Sequence, residues 1–218
     1  MIDTIHISLK KFEILKENNF RIHQSSVSSK TGEVEPDFVL WENDSGKVRG
    51  KKACHNSDII NVTIEPFFGR VYCFVNFSAS KVFYGNSNYF PVNKNQFKRV
   101  IDIVGDELFK IGIKTNIYEA ELRRVDIFEN VVTDRPYNFY STVFSEFKPS
   151  RMKKSCCNGS VLFWNKQHAI NIYDKNKEMK DKKQSITNLP SFVTRFEYRM
   201  LTMNKIINCL KVKTIQGL

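Results

Sequence analysis

Ile60-Asn61-Val62-Thr63-Ile64-Glu65-Pro66-Phe67-Phe68-Gly69-Arg70-Val71-Tyr72-Cys73-Phe74-Val75-Asn76-Phe77 decides the fold. Ile60, Val62 and Ile64 alternate with other residues, Pro66 and Gly69 punctuate, and Val71, Cys73, Val75 and Phe77 alternate again. Side chains two apart on a strand point the same way, so this stretch reads as an antiparallel hairpin with one apolar face. A sheet with one apolar face needs a cover, and the rest of the chain supplies candidates.

Toward the N-terminus, Ile5, Ile7 and Leu9 alternate with His6 and Ser8, which predicts another strand. Residues 32–52 are polar and carry Gly46 and Gly50, with Lys47, Arg49, Lys51 and Lys52 as a basic cluster. That segment reads as a long loop or an irregular hairpin. Toward the C-terminus, Phe97, Val100, Ile101, Val104, Leu108 and Ile111 fall at helical spacing, and Gly112 is placed to end a helix over 95–111. A strand follows through 123–128. Pro136 opens an amphipathic stretch with Tyr140, Val143, Phe144 and Phe147 on one side. A basic link (Arg151, Lys153, Lys154) leads to strands over 160–164 and 169–173, then a charged helix over 174–183. Pro190 precedes a long strand over 192–201, and Ile206, Ile207 and Leu210 predict a closing helix. The expected class is α+β: a central antiparallel β-sheet with helices packed mainly on one face, in a single domain over 1–218.

Lys and Arg number 34 against 23 Asp and Glu, a formal net charge of +11, which favours a polyanionic partner, nucleic acid before a membrane surface. The five cysteines form no Cys-x-x-Cys pair, which argues against a zinc knuckle or a disulfide framework and for a reduced, cytoplasmic protein. The start of the chain lacks a basic segment followed by an apolar run, so no secretory signal is expected. No apolar run approaches the ~18 residues of a membrane span, so no membrane partner is expected.

Three segments put ionisable side chains among alternating apolar ones. In Arg124-Val125-Asp126-Ile127, Val125 and Ile127 share the core face, so Arg124 and Asp126 share the other. In Arg195-Phe196-Glu197-Tyr198-Arg199, Phe196 and Tyr198 face one way while Arg195, Glu197 and Arg199 face the other. If the two strands are neighbours, two carboxylates share one sheet face beside arginines. Such a set suits a hard cation and a phosphodiester, and equally a cross-strand salt-bridge lattice. In Ile170-Asn171-Ile172-Tyr173-Asp174-Lys175-Asn176-Lys177-Glu178, Ile170 and Ile172 point to the core, which leaves Tyr173 on the opposite face at a strand end. A tyrosine can attack phosphorus, but its ordinary pKa of ~10 calls for a metal on the phosphate or a nearby cation such as Lys175. An ordinary tyrosine at a sheet edge fits the same pattern.

Together these segments resemble the initiators of rolling-circle replication in filamentous phages, the gene II protein family. Met1-Ile2-Asp3 is similar to that family's opening, and 78–86 (Ser-Ala-Ser-Lys-Val-Phe-Tyr-Gly-Asn) resembles its Ser-x-x-Lys-x-x-x-Gly segment. Arg124-Val125-Asp126 resembles its Arg-Ile-Asp strand, and Arg195-Phe196-Glu197 its Arg-Phe-Glu strand. Val161-Leu162-Phe163-Trp164-Asn165, followed by Asn171-Ile172-Tyr173-Asp174-Lys175, resembles the segment that holds the nicking tyrosine. The Tyr-Asp-Lys-x-x-Glu stretch is also similar to a group of plasmid initiators.

The resemblance implies an HUH/Rep-like fold, nicking of one strand of single-stranded or supercoiled origin DNA, a 5′-phosphotyrosine bond, a free 3′-OH for polymerase, and Mg²⁺ or Mn²⁺. It implies a bacterial host cytoplasm, with host helicase and polymerase as partners. Tyr173 would be the nucleophile, with Arg124, Arg195 and Lys175 offsetting charge. Asp126, Glu197 and Glu178, with His168 as a further candidate, would hold the metal, because the His-hydrophobic-His triplet of related HUH endonucleases is missing here. Lys47, Arg49, Lys51, Lys52, Lys81, Arg151, Lys153 and Lys154 would follow the DNA backbone, and Trp41 or Tyr84 would stack bases. Ser87 stands where the family tends to carry Asn. The alternatives are an origin- or single-strand-binding protein without chemistry, and a metal-dependent nuclease that uses water.

Overall fold

In the computed structural model the apolar hairpin pairs over 60–67 and 70–78, with Ile60 opposite Phe77, Val62 opposite Val75 and Ile64 opposite Cys73. The structure describes residues 1–15, 21–22, 41–42, 48–49, 53–67, 70–85, 87–157, 159–183 and 190–218. In chain order its strands and helices are β1 (Ile2–Leu9), β2 (Phe12–Ile14), β3 (Arg21–Ile22), β4 (Trp41–Glu42), β5 (Val48–Arg49), β6 (Ala53–Asn56), β7 (Ile60–Phe67), β8 (Arg70–Ser78), α1 (Ala79–Tyr84), α2 (Lys94–Lys110), β9 (Ile113–Thr115), β10 (Glu121–Val132), α3 (Tyr137–Glu146), β11 (Lys153–Cys157), β12 (Ser160–Trp164), β13 (His168–Asp174), α4 (Lys175–Asp181), β14 (Val193–Met200) and α5 (Met203–Leu210).

The protein is thus mixed α and β, with a large antiparallel sheet and five helices among the described residues. Ten strands form that sheet in the order β11-β12-β13-β14-β10-β1-β8-β7-β6-β3. Every pairing in it is antiparallel. The strand over 123–128 is longer than the alternation suggests, and β10 lies between β1 and β14.

Residues paired across strands share a face. Phe77, Ile5, Val125 and Met200 are successive partners, and so are Ile127, Tyr198, Ile170 and Phe163. These apolar rows lie on one face. On it α2 sets down Phe97, Val100, Ile101, Val104 and Leu108, and α5 sets down Ile206. Each fully buried aliphatic side chain there contributes about 1.5–3 kcal/mol. The start of α2 is fixed by a reciprocal cap: Asn93 accepts from the Gln96 N–H, and the Gln96 side chain accepts from the Asn93 N–H. After α2, Gly112 takes φ +94, which favours glycine, so the chain can turn into β9.

One expectation is corrected and another is met in part. The basic link is in part a strand: β11 pairs with β12 at the edge of the sheet, Lys153 opposite Trp164 and Cys157 opposite Ser160. The expected side of α3 is met in part: Tyr137 and Phe144 pack over Val161, Phe163 and Ile172, Tyr140 packs on Phe144, and Phe147, largely exposed, keeps a ring contact with Phe163, while Val143 is exposed. The Tyr137 hydroxyl donates to the Ile172 carbonyl at 3.1 Å and ties the helix start to β13. None of the five cysteines is in a disulfide. Among the described residues no helix is long and apolar enough to cross a membrane.

Candidate functional site

The face opposite the core carries three rows. One runs Asp126, Arg199, Ala169, Trp164, Lys153. The next runs Phe128, Glu197, Asn171, Leu162, Ser155, and the third runs Asn130, Arg195, Tyr173, Ser160, Cys157. Asp126, Glu197 and Tyr173 therefore share one face, as the period of two requires. They also line one cavity of about 580 Å³, together with Asp3, Arg124 and Arg199. Lys177 and Glu178 of α4 wall it, with Lys182 just past the helix end, and Lys81 of α1 also reaches it.

The carboxylates are buried and compensated. Arg124 grips both oxygens of Asp126, Nε to Oδ1 at 2.7 Å and Nη2 to Oδ2 at 2.6 Å. Arg199 Nε donates to Glu197 Oε1 at 2.7 Å and lies 3.9 Å from Asp126 Oδ2, so one guanidinium links the two acids. Burial raises the Asp126 pKa above the ordinary carboxylate value, and Arg124 offsets part of that rise. Glu178 differs: burial works against its charge, but Lys175 and Lys182 each hold one of its oxygens and bring its pKa below the ordinary value.

Two expected site cations do not line the cavity. Arg195 is fully buried, with Nε donating to Asn130 Oδ1 at 2.8 Å, Nη2 to the Asn88 carbonyl, and its guanidinium 3.9 Å above the Phe128 ring. Lys175 is also fully buried and donates to Asn88 Oδ1 at 2.6 Å and to Glu178. Burial lowers its pKa to about 8, and the charge of Arg195 adds to the drop. Asn88 thus clamps both buried cations.

Tyr173 is nearly buried, and burial pushes its hydroxyl far above the ordinary tyrosine pKa. The opposing field comes from Arg195 rather than from its sequence neighbour Lys175, and Glu197, Glu178 and Asp3 reinforce the rise. The phenol is therefore protonated at neutral pH and needs a proton acceptor to act as a nucleophile.

Asp3 is the residue that alternation misses. Strict alternation would set it beside Ile5 on the core face, but the register of β1 against β10 shifts between Ile2 and Ile5. Asp3 instead lines the cavity, accepts from Ser78 Oγ at 2.9 Å and lies 3.7 Å from Arg195 Nη1. Burial raises its pKa.

The other expected DNA contacts are dispersed. Arg151, Lys153 and Lys154 are exposed at the β11 edge, where Lys154 donates to the Ser145 carbonyl. Lys47, Lys51 and Lys52 lie outside the described residues, as do the side chains of Arg49 and Trp41. Tyr84 is tied down: its hydroxyl donates to the Pro91 carbonyl at 3.1 Å and its ring packs on Phe83 and Phe90. His168 packs on Tyr198 of the core face, away from the acids.

Among the described residues no three His, Cys, Asp or Glu side chains are grouped to hold a metal by themselves. The donor type still suits Mg²⁺ or Mn²⁺, because such ions commonly take one or two carboxylates and complete their shell with water and substrate phosphate. Asp126 and Glu197 are the carboxylates that could take part, in competition with Arg124 and Arg199, which already hold them. No family model matches the chain, and no curated protein matches it.

Proposed function

We propose that this protein nicks one strand of DNA with Tyr173 and stays joined to the 5′ end, as a rolling-circle initiator of the gene II, HUH/Rep-like kind. The observation that carries the reading is the convergence of Tyr173, Asp126 and Glu197 on one cavity, rimmed by Lys81, Lys177 and Lys182. A cleft that pairs acids with lysines at its mouth suits a phosphodiester better than a neutral substrate.

In this reading Tyr173 Oη attacks the scissile phosphorus and the bond to the 3′ oxygen breaks. A 5′-phosphotyrosine forms, and the leaving oxygen takes a proton from water to become the 3′-OH. The phenol proton would pass to a carboxylate that lines the same cavity, Asp3 or Glu178. Arg195 acts on Tyr173 from behind, without touching substrate. A divalent ion on Asp126 and Glu197 would supply Lewis-acid polarisation of the phosphate. Origin DNA would be the substrate in a bacterial cytoplasm, and the 3′-OH would suit host polymerase and helicase.

One observation favours a second reading, a DNA-binding protein without chemistry: Arg124 already satisfies both oxygens of Asp126. Incubation with single-stranded DNA and Mg²⁺ or Mn²⁺, followed by a denaturing gel, separates the two. A protein–DNA adduct supports nicking, and bound but intact DNA supports the second reading.

A further inference from the structure

Away from the cleft, the row that begins at Asp126 ends in an aromatic and a cation, Trp164 and Lys153. Three strand spacings separate Asp126 from Trp164, roughly 14 Å at ~4.8 Å each. Trp164 is partly exposed and borders a second cavity of about 520 Å³, lined by Arg151, Met152, Lys153, Trp164, Asn165 and Lys166. No carboxylate lines that cavity. Among the described residues none of its three cations is in an ion pair, and no aromatic ring packs on the indole. The turn that carries Lys166 is fixed, because Asn165 Oδ1 accepts from the N–H groups of Gln167 and His168 at 2.8 and 3.0 Å.

We propose that Trp164 is a stacking platform for an unpaired base of a single DNA strand that crosses β13 and β12 from the cleft, with Arg151, Lys153 and Lys166 on its phosphates. An aromatic face among uncompensated cations matches the chemistry of a single strand, which offers a π-face and a negative charge at each nucleotide. A duplex hides its base faces and cannot stack in this way. The proposal rests on the reading of the cleft as a site for a DNA strand, but not on cleavage.

The chain has two tryptophans, so Trp41→Phe leaves Trp164 as the sole indole reporter. This protein is titrated with oligo(dT) and with a duplex of equal length while Trp emission is followed. A labelled oligo(dT) reports affinity by polarisation in the Trp164→Ala, Trp164→Phe, Lys153→Glu and Lys166→Glu variants. Expected are quenching by the single strand that saturates with binding, little quenching by duplex, and about tenfold weaker binding in Trp164→Ala. Trp164→Phe should keep most of the affinity, and each Lys→Glu change should weaken it. Unquenched emission at saturating oligo(dT), equal quenching by duplex, or unchanged affinity in Trp164→Ala overturns the platform. Should Trp164→Ala fail to fold, the emission titration decides alone. The adduct gel on wild type separates the two claims: quenching without an adduct in wild type supports the platform while nicking fails, and an adduct in wild type with unquenched Trp164 does the reverse.

Discussion

Arg124 and Asp126, two residues apart on β10, form a two-pronged ion pair on the face away from the core, with Asp126 only 1% exposed. A buried carboxylate that loses its partner keeps its desolvation cost. Arg124→Ala should therefore lower stability by about 1–3 kcal/mol, the upper end being held down by nearby Arg199. Urea denaturation reads this as a lower midpoint at an unchanged slope. An unchanged midpoint would mean that Arg124 adds nothing to the fold.

Lys175 gives a pH test. Burial lowers its pKa from 10.5 to about 8, so the unfolded chain binds this proton more tightly than the folded one between those values. The stability it contributes is present above pH 10.5 and is lost as pH falls through about 8. The stability difference between wild type and Lys175→Met should rise in favour of wild type from pH 8 to 10.5. Urea midpoints across that range check it, since groups common to both proteins cancel. A flat difference would show that Lys175 is not held in a desolvated site.

Metal dependence follows from the oxygen donors. Nicking should need Mg²⁺ or Mn²⁺, stop in chelator, and be lost in Asp126→Ala and Glu197→Ala while most DNA binding remains. Cleavage at the wild-type rate in chelator, or in either variant, removes those residues from the chemistry.

Affinity for DNA should fall steeply with salt, with a log–log slope of about −0.7 per phosphate contact for a single strand. Lys81→Glu at the cleft should reduce both affinity and slope. An affinity that stays level from low to physiological salt contradicts the use of the +11 net charge.

Much of this geometry was legible because a strand's period is two. Asp126, Glu197 and Tyr173 could be assigned to one face from Val125, Phe196 and Ile172 on the other. Asp3 was not legible, since the register shift in β1 breaks the alternation. The strand β11 was hidden because an edge strand with exposed Lys153 and Lys154 has no apolar row to show. The burial of Arg195 and Lys175 depends on Asn88, distant in sequence, and no local pattern encodes it. The face of α3 is legible through Tyr140, Phe144 and Phe147, but Val143 beside them is apolar yet exposed, and the packing of Tyr137 at the helix start carries no apolar period to show it.

The most direct test is covalent capture with Tyr173→Phe beside wild type, on single-stranded DNA carrying the nick site. The change removes one hydroxyl from a ring that lines a polar cavity, so fold and DNA binding should persist. Wild type should give a protein–DNA adduct whose peptide map places the link at Tyr173, and Tyr173→Phe should give neither adduct nor nick. An adduct on any other residue, or undiminished cleavage by Tyr173→Phe, would contradict the account.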